Sequence, residues 1–184
     1  GLLSAPALAQ DGRSGGSFQV DHRLESIFQK VLPFTQRRDL SYRLLLQRDD
    51  STINAYALPD GRIILTTGLV HALPHGDNNA VAFVIAHELS HLERRHIERL
   101  ARQDNLTNLG LGLLVRNQSD VLRSAAGVGS RLITSGYSRG MESEADASGL
   151  ELMRRAGYSP RGAITTLQLF RNLEATRGRT RVFP

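Results

Sequence analysis

The stretch DNNAVAFVIAHELSHLERRHIERLAR, residues 77–102, decides the fold. Ala80, Val81, Phe83, Val84, Ile85, Ala86 and Leu89 make its first half almost wholly apolar. A helix that is apolar on every side is one that runs through a core. Asp77 or Asn78 supplies an N-cap oxygen for it. Its second half is strongly charged and must emerge into solvent. Between the two lies His87-Glu88-Leu89-Ser90-His91, and an unpartnered His or Glu at such depth is costly.

Residues four apart share one helix face. His87 and His91 can therefore both point at a single metal ion. Glu88 sits one residue along, about 100° around the axis. It cannot be a third ligand in the same plane, but it can reach a water beside the metal and take its proton. This is the logic of a zinc peptidase. With six histidines in 184 residues, a chance HExxH is on the order of one in a hundred.

Catalytic zinc needs a third protein ligand and an open position. The chain has no cysteine, so the donors are His, Asp or Glu. Arg94 and Ile97 stand where the metzincin pattern requires Gly and His, which excludes that class. His96 falls one residue short and is expected to face away from the His87/His91 stripe. A carboxylate from another helix remains. Glu142 and Asp146, in MESEAD, are spaced i, i+4 and share a face. Glu142 is read as the third ligand. Asp146 is read as the acceptor of a hydrogen bond from a ligating imidazole, that of His87, fixing its tautomer. Glu144 and Glu151 are read as surface carboxylates. The plain alternative is that all of these acids only solvate their helix.

Working outward, residues 21–38 read as an amphipathic helix capped by Asp21 and kinked or ended by Pro33. Strands are expected at Tyr42–Gln47, Ile53–Leu58 and Arg62–Thr66, the last two joined by a Pro59-Asp60-Gly61 turn. A short helix is expected over Gly68–Leu73, and further helices over Val121–Ile133, Arg139–Ala156 and Gly162–Thr176. Leu106–Val115 is too short to span a bilayer and reads as core packing or as a surface-associating segment.

Composition narrows the partners. Lys plus Arg is 23 against 18 Asp plus Glu, a formal charge of +5. All but Lys30 of the cations are arginines, and they are scattered. Aromatics are 5% and Trp is absent, so nucleic acid is not an expected partner. Mean hydropathy is slightly negative and no run reaches the length of a membrane span. The opening GLLSAPALAQ resembles the end of a signal peptide, with Ala-x-Ala cleavage after Ala9. Residues 1–9 are read as that remnant, 10–20 as a flexible N-terminus, and 21–184 as one domain cut short at its C-terminus. Export to the periplasm or an equivalent compartment follows from that reading.

Three motifs occur in order: Asn54-Ala55-Tyr56 with its Gly-containing hairpin, His87–His91 followed by Arg95-His96, and Ser138-Arg139 through Glu142, Ala145-Asp146 and Gly149. Together they resemble the HtpX/BepA/Oma-like zinc metallopeptidases, which include the CAAX prenyl proteases, over roughly residues 50–160. The resemblance is to the exported branch without membrane helices. It implies an α+β, predominantly helical, zincin-like (gluzincin) fold with a small antiparallel sheet beside the HExxH helix. It implies one Zn²⁺ per chain on His87, His91 and Glu142, with Glu88 as the base. An extended polypeptide substrate is expected to add to the strand at Asn54, Ala55 and Tyr56. The implied work is quality control of unfolded or misassembled envelope proteins, with envelope assembly machinery as partner. Two other readings stay open: an envelope chaperone or assembly factor with a zinc site and little proteolysis, and a module held peripherally at a membrane surface.

Overall fold

A computed structural model of the protein describes residues 18–19, 21–103 and 137–179. Asp21 caps α1 (His22–Val31), accepting from the backbone N–H groups of Arg23 and Leu24. Leu24, Ile27, Phe28 and Val31 form its buried stripe. Pro33 ends the helix by closing it into a 3₁₀ turn, Leu32–Phe34. Phe18 and Gln19, at the end of the stretch expected to be flexible, form β1.

The sheet contains β1, β2 (Arg43–Gln47), β3 (Ala55–Ala57) and β4 (Arg62–Thr66), in the order β1-β2-β4-β3. It is mixed, where an antiparallel sheet was expected. β1 with β2 and β3 with β4 are antiparallel, while β2 and β4 run parallel, Leu44 opposite Ile63 and Leu46 opposite Leu65. The cause is the hairpin. The chain leaves β2, crosses to the far edge for β3, and turns back so that β4 fills the place between them. β3 is thereby left at the edge of the sheet. The strand proper is three residues, Ala55–Ala57, with the flanking Asn54 carbonyl and Leu58 N–H also bonded to Thr66 and Arg62.

Thr66 caps α2 (Thr67–Ala72). Asp77 caps α3 (Asn78–Glu93), accepting from the N–H groups of Asn79 and Ala80 at 3.0 Å each. Every residue from Ala80 to Ala86 is buried. α3 is the core of the molecule, packed against α1, β3, β4 and the two C-terminal helices. Full burial of a side chain such as Ile85 or Leu89 contributes about 1.5–3 kcal/mol. Ser90 is tolerated at the same depth because its hydroxyl donates to the Ala86 carbonyl at 2.7 Å.

The single helix expected over 77–102 is two helices. α3 ends at Glu93, Arg95 takes a positive φ of 54°, and α4 (His96–Gln103) starts in a new direction. α5 (Arg139–Arg155) is capped by Ser138, whose hydroxyl accepts from Met141 N–H, and α6 (Arg161–Arg179) follows after a short turn. Gly162 lets α6 close on α3: a Cβ there would lie 2.1 Å from the Asn79 carbonyl carbon. Thr166 also donates to the Ala80 carbonyl at 3.3 Å. No helix among the described residues is long and apolar enough to cross a membrane. The helix expected over Val121–Ile133 and the Leu106–Val115 run lie outside the described residues.

Candidate metal centre

α3 presents His87 and His91 one turn apart, toward α5. Their Nε2 atoms face each other at 3.0 Å. Glu142, in the first turn of α5, brings Oε2 to 3.4 Å from His87 Nε2 and Oε1 to 3.9 Å from His91 Nε2. One donor atom from each of the three lies within 4.8 Å of the others. Three converging donors, two neutral-capable imidazoles and a carboxylate, fit a divalent metal ion between them.

The surroundings orient these groups. Asp146, one turn along α5 from Glu142, places Oδ1 3.0 Å from His87 Nδ1. The approach is off the N–H axis, and Nδ1 lacks an ideally aligned hydrogen bond. Burial opposes charge on His87, yet hydrogen bonding to Asp146 and Glu142 outweighs it and pushes the imidazole up to about 10. Burial carries His91 the other way, down to about 2, with the neighbouring His87 and His96 adding to the effect. The two shifts run in opposite directions, and both rings would have to be neutral at the metal-facing nitrogen to hold an ion.

Glu88 is 7% exposed and lines the same cleft. Burial pushes its carboxyl up to about 7, partly offset by the His87 charge and by a hydrogen bond from the Ala57 backbone. A carboxyl poised near neutrality can hold or release a proton at working pH. The cleft has a volume of about 380 Å³. Asn54, Ala55 and Tyr56 form one wall; Phe83, Leu167 and Phe170 form an apolar one. The structure thus brings His87, Glu88, His91, Glu142, Asp146 and the 54–56 strand to one cavity.

Sequence reasoning missed three contributors. His96 was expected to face away, but the break at Arg95 turns it back beneath His91, Nδ1 to Nδ1 at 2.9 Å. Glu144 was read as a surface carboxylate; it is partly exposed but holds His96 at 3.2 Å and Arg99 at 2.7 Å. Tyr137 stacks on the His91 ring, with centroids 3.8 Å apart and planes 18° from parallel. Tyr137 directly precedes the Ser138-Arg139 motif, and that adjacency was the available signal.

An HExxH helix whose two histidines meet a glutamate from a later helix, with the motif glutamate buried at their side, is the architecture of a metallopeptidase. The chain belongs to Peptidase family M48, whose sequence model matches residues 19–178. Among curated proteins it is similar to the mitochondrial metalloendopeptidase OMA1 of Arabidopsis thaliana, 36% identical over 65% of this chain and 24% of that protein. It is similar to the metalloprotease LoiP of Escherichia coli, 28% identical over 75% of this chain and 54% of LoiP. It also resembles the beta-barrel assembly-enhancing protease of Yersinia pestis, 29% identical over 65% of this chain and 26% of that protein. The chain spans between about a quarter and about half the length of these relatives.

Proposed function

We propose that this chain is the catalytic part of a zinc-dependent metalloendopeptidase that hydrolyses unfolded or misassembled proteins of the cell envelope. One observation carries the reading: Glu88 is buried beside the point on which His87, His91 and Glu142 converge. A purely structural metal site has no use for such a group. Two histidines and a carboxylate form a donor set of catalytic zinc, with a fourth position left for the reaction. Zinc bound there supplies Lewis acidity, polarising the scissile carbonyl and acidifying the attacking water.

The chain's own residues do the rest. Glu88 takes the proton of the attacking water on its carboxylate and passes it to the leaving amine. Asp146 keeps the His87 ring turned toward the metal position. β3 offers the substrate a sheet edge. The Asn54 carbonyl and the Leu58 N–H are bonded to β4, so by antiparallel alternation the backbone groups of Ala55 and Ala57 face outward. The Ala57 N–H is taken by Glu88. The groups of Ala55 and the Ala57 carbonyl remain to pair with an extended peptide.

Strand pairing reads backbone rather than side chains, and a folded protein does not offer a free strand. That favours unfolded substrates. The apolar wall of Phe83, Leu167 and Phe170 suits side chains that folding would bury. Location in the envelope, and assembly machinery as a partner, are drawn from the name of the beta-barrel assembly-enhancing relative together with the signal-like composition of residues 1–9. The test is casein cleavage by protein stripped with chelator and then given zinc. Activity should vanish on stripping and return with zinc. Chelator-resistant cleavage contradicts the proposal.

A further inference from the structure

His91 is 1% exposed and His96 is wholly buried. Their Nδ1 atoms are 2.9 Å apart, so one nitrogen must donate and the other accept. On the far side of His96, Nε2 lies 3.2 Å from Glu144 Oε2. Glu144 is itself held by Arg99, through Nη1 at 2.7 Å. An ionised carboxylate only accepts, and Glu144 is ion-paired with the Arg99 guanidinium.

The proton positions then follow one another. His96 must carry its proton on Nε2, facing Glu144. Its Nδ1 is left as a lone pair and must accept. His91 must supply that bond from Nδ1–H, and a neutral His91 with a proton on Nδ1 has a bare Nε2. That Nε2 is the atom turned toward His87 and Glu142. The opposite ordering would set a His96 lone pair against the Glu144 carboxylate, two acceptors 3.2 Å apart. Charging a ring as fully buried as His96 is costly, so it stays neutral and able to accept.

We propose that Glu144 acts through His96 to hold His91 in the tautomer whose Nε2 is free for metal, making His96 and Glu144 positioning residues of the centre. This rests on the metal-site reading above and adds a device to it. The Arg95 backbone turn exists, on this view, to bring His96 back under His91. Tyr137, stacked flat on His91, fixes the plane of the same ring.

The test uses the whole chain, labelled with ¹⁵N-histidine, as wild type, Glu144→Ala and Glu144→Gln. Glu144 is partly exposed, so both variants should fold, and thermal melting checks that. Zinc affinity is measured by chelator competition, and imidazole protonation by long-range ¹H–¹⁵N correlation. The wild type should show His91 protonated on Nδ1 and His96 on Nε2. Glu144→Gln, whose amide can donate to the wrong tautomer of His96, should bind zinc about 10- to 100-fold more weakly, the range of lost outer partners. Glu144→Ala should fall between it and wild type. Equal zinc affinity in all three, or His96 protonated on Nδ1 in the zinc-loaded wild type, overturns the inference while leaving the metal site intact. A wild type that takes up no zinc overturns both.

Discussion

Gly149 of α5 lies directly against the backbone of His87: a Cβ on Gly149 would stand 2.9 Å from the His87 nitrogen and 3.0 Å from its Cα. Both are backbone atoms and cannot swing aside. The close approach of α5 to α3 is therefore what lets Glu142 and Asp146 reach the histidines. Gly149→Ala should push the helices apart. We expect a loss of about 1–3 kcal/mol in stability from overpacking, with a lower melting temperature and weaker zinc binding. A variant with unchanged melting and unchanged zinc affinity would show that the helix spacing is not set there.

Glu142→Ala removes the only carboxylate placed among the donors of the three-residue group. It should lose zinc by metal analysis of the dialysed protein. Asp146→Ala should keep the ion but bind it about 10- to 100-fold more weakly, since it turns the His87 ring and does not touch the metal position. Full zinc content in Glu142→Ala would move the ligand role elsewhere.

Most of this centre was legible because helix periodicity is a local rule. The i, i+4 spacings of His87/His91 and Glu142/Asp146 put each pair on one face, and the apolar run before His87 buried the first pair. The path of the chain between elements was not legible. Nothing in Glu93-Arg94-Arg95 announces a helix break, since these residues favour helix; Arg95 takes its positive φ against that preference. His96 was misplaced for that reason, and Glu144 with it. The parallel pairing of β2 with β4 is likewise a long-range outcome that alternation within a strand cannot reveal.

Glu88 gives a pH signature. Its carboxyl ionises near the ordinary 4.5 when unfolded but is pushed up to about 7 by burial in the folded, metal-free protein. Below pH 4.5 it is neutral in both states and costs nothing. Between pH 4.5 and 7 the unfolded chain gives up this proton while the folded protein holds it, so stability falls across that range and levels off above 7. Metal-free Glu88→Gln should therefore match wild type at low pH and exceed it by roughly 3 kcal/mol above about pH 8. Denaturant melts across that range check it; a difference that does not vary with pH would mean the carboxyl is not strained by burial.

Leu167 is 43% exposed yet lines the cleft beside Phe170. Leu167→Asp should lower kcat/KM on substrates with apolar residues next to the scissile bond by about tenfold, the low end of what one methylene contributes in a hydrophobic pocket. Zinc content should be unaffected. Peptide series differing at that one position read the effect, and equal losses on polar and apolar peptides would remove the wall from substrate selection.

The most direct test pairs metal analysis with casein cleavage on wild type and Glu88→Gln prepared alike. Both proteins should carry one zinc per chain. Wild type should cleave, and Glu88→Gln should be slower by at least about 100-fold, as befits loss of a general base. Comparable cleavage by the variant, or cleavage by wild type holding no zinc, would contradict a zinc peptidase that uses Glu88 as its base.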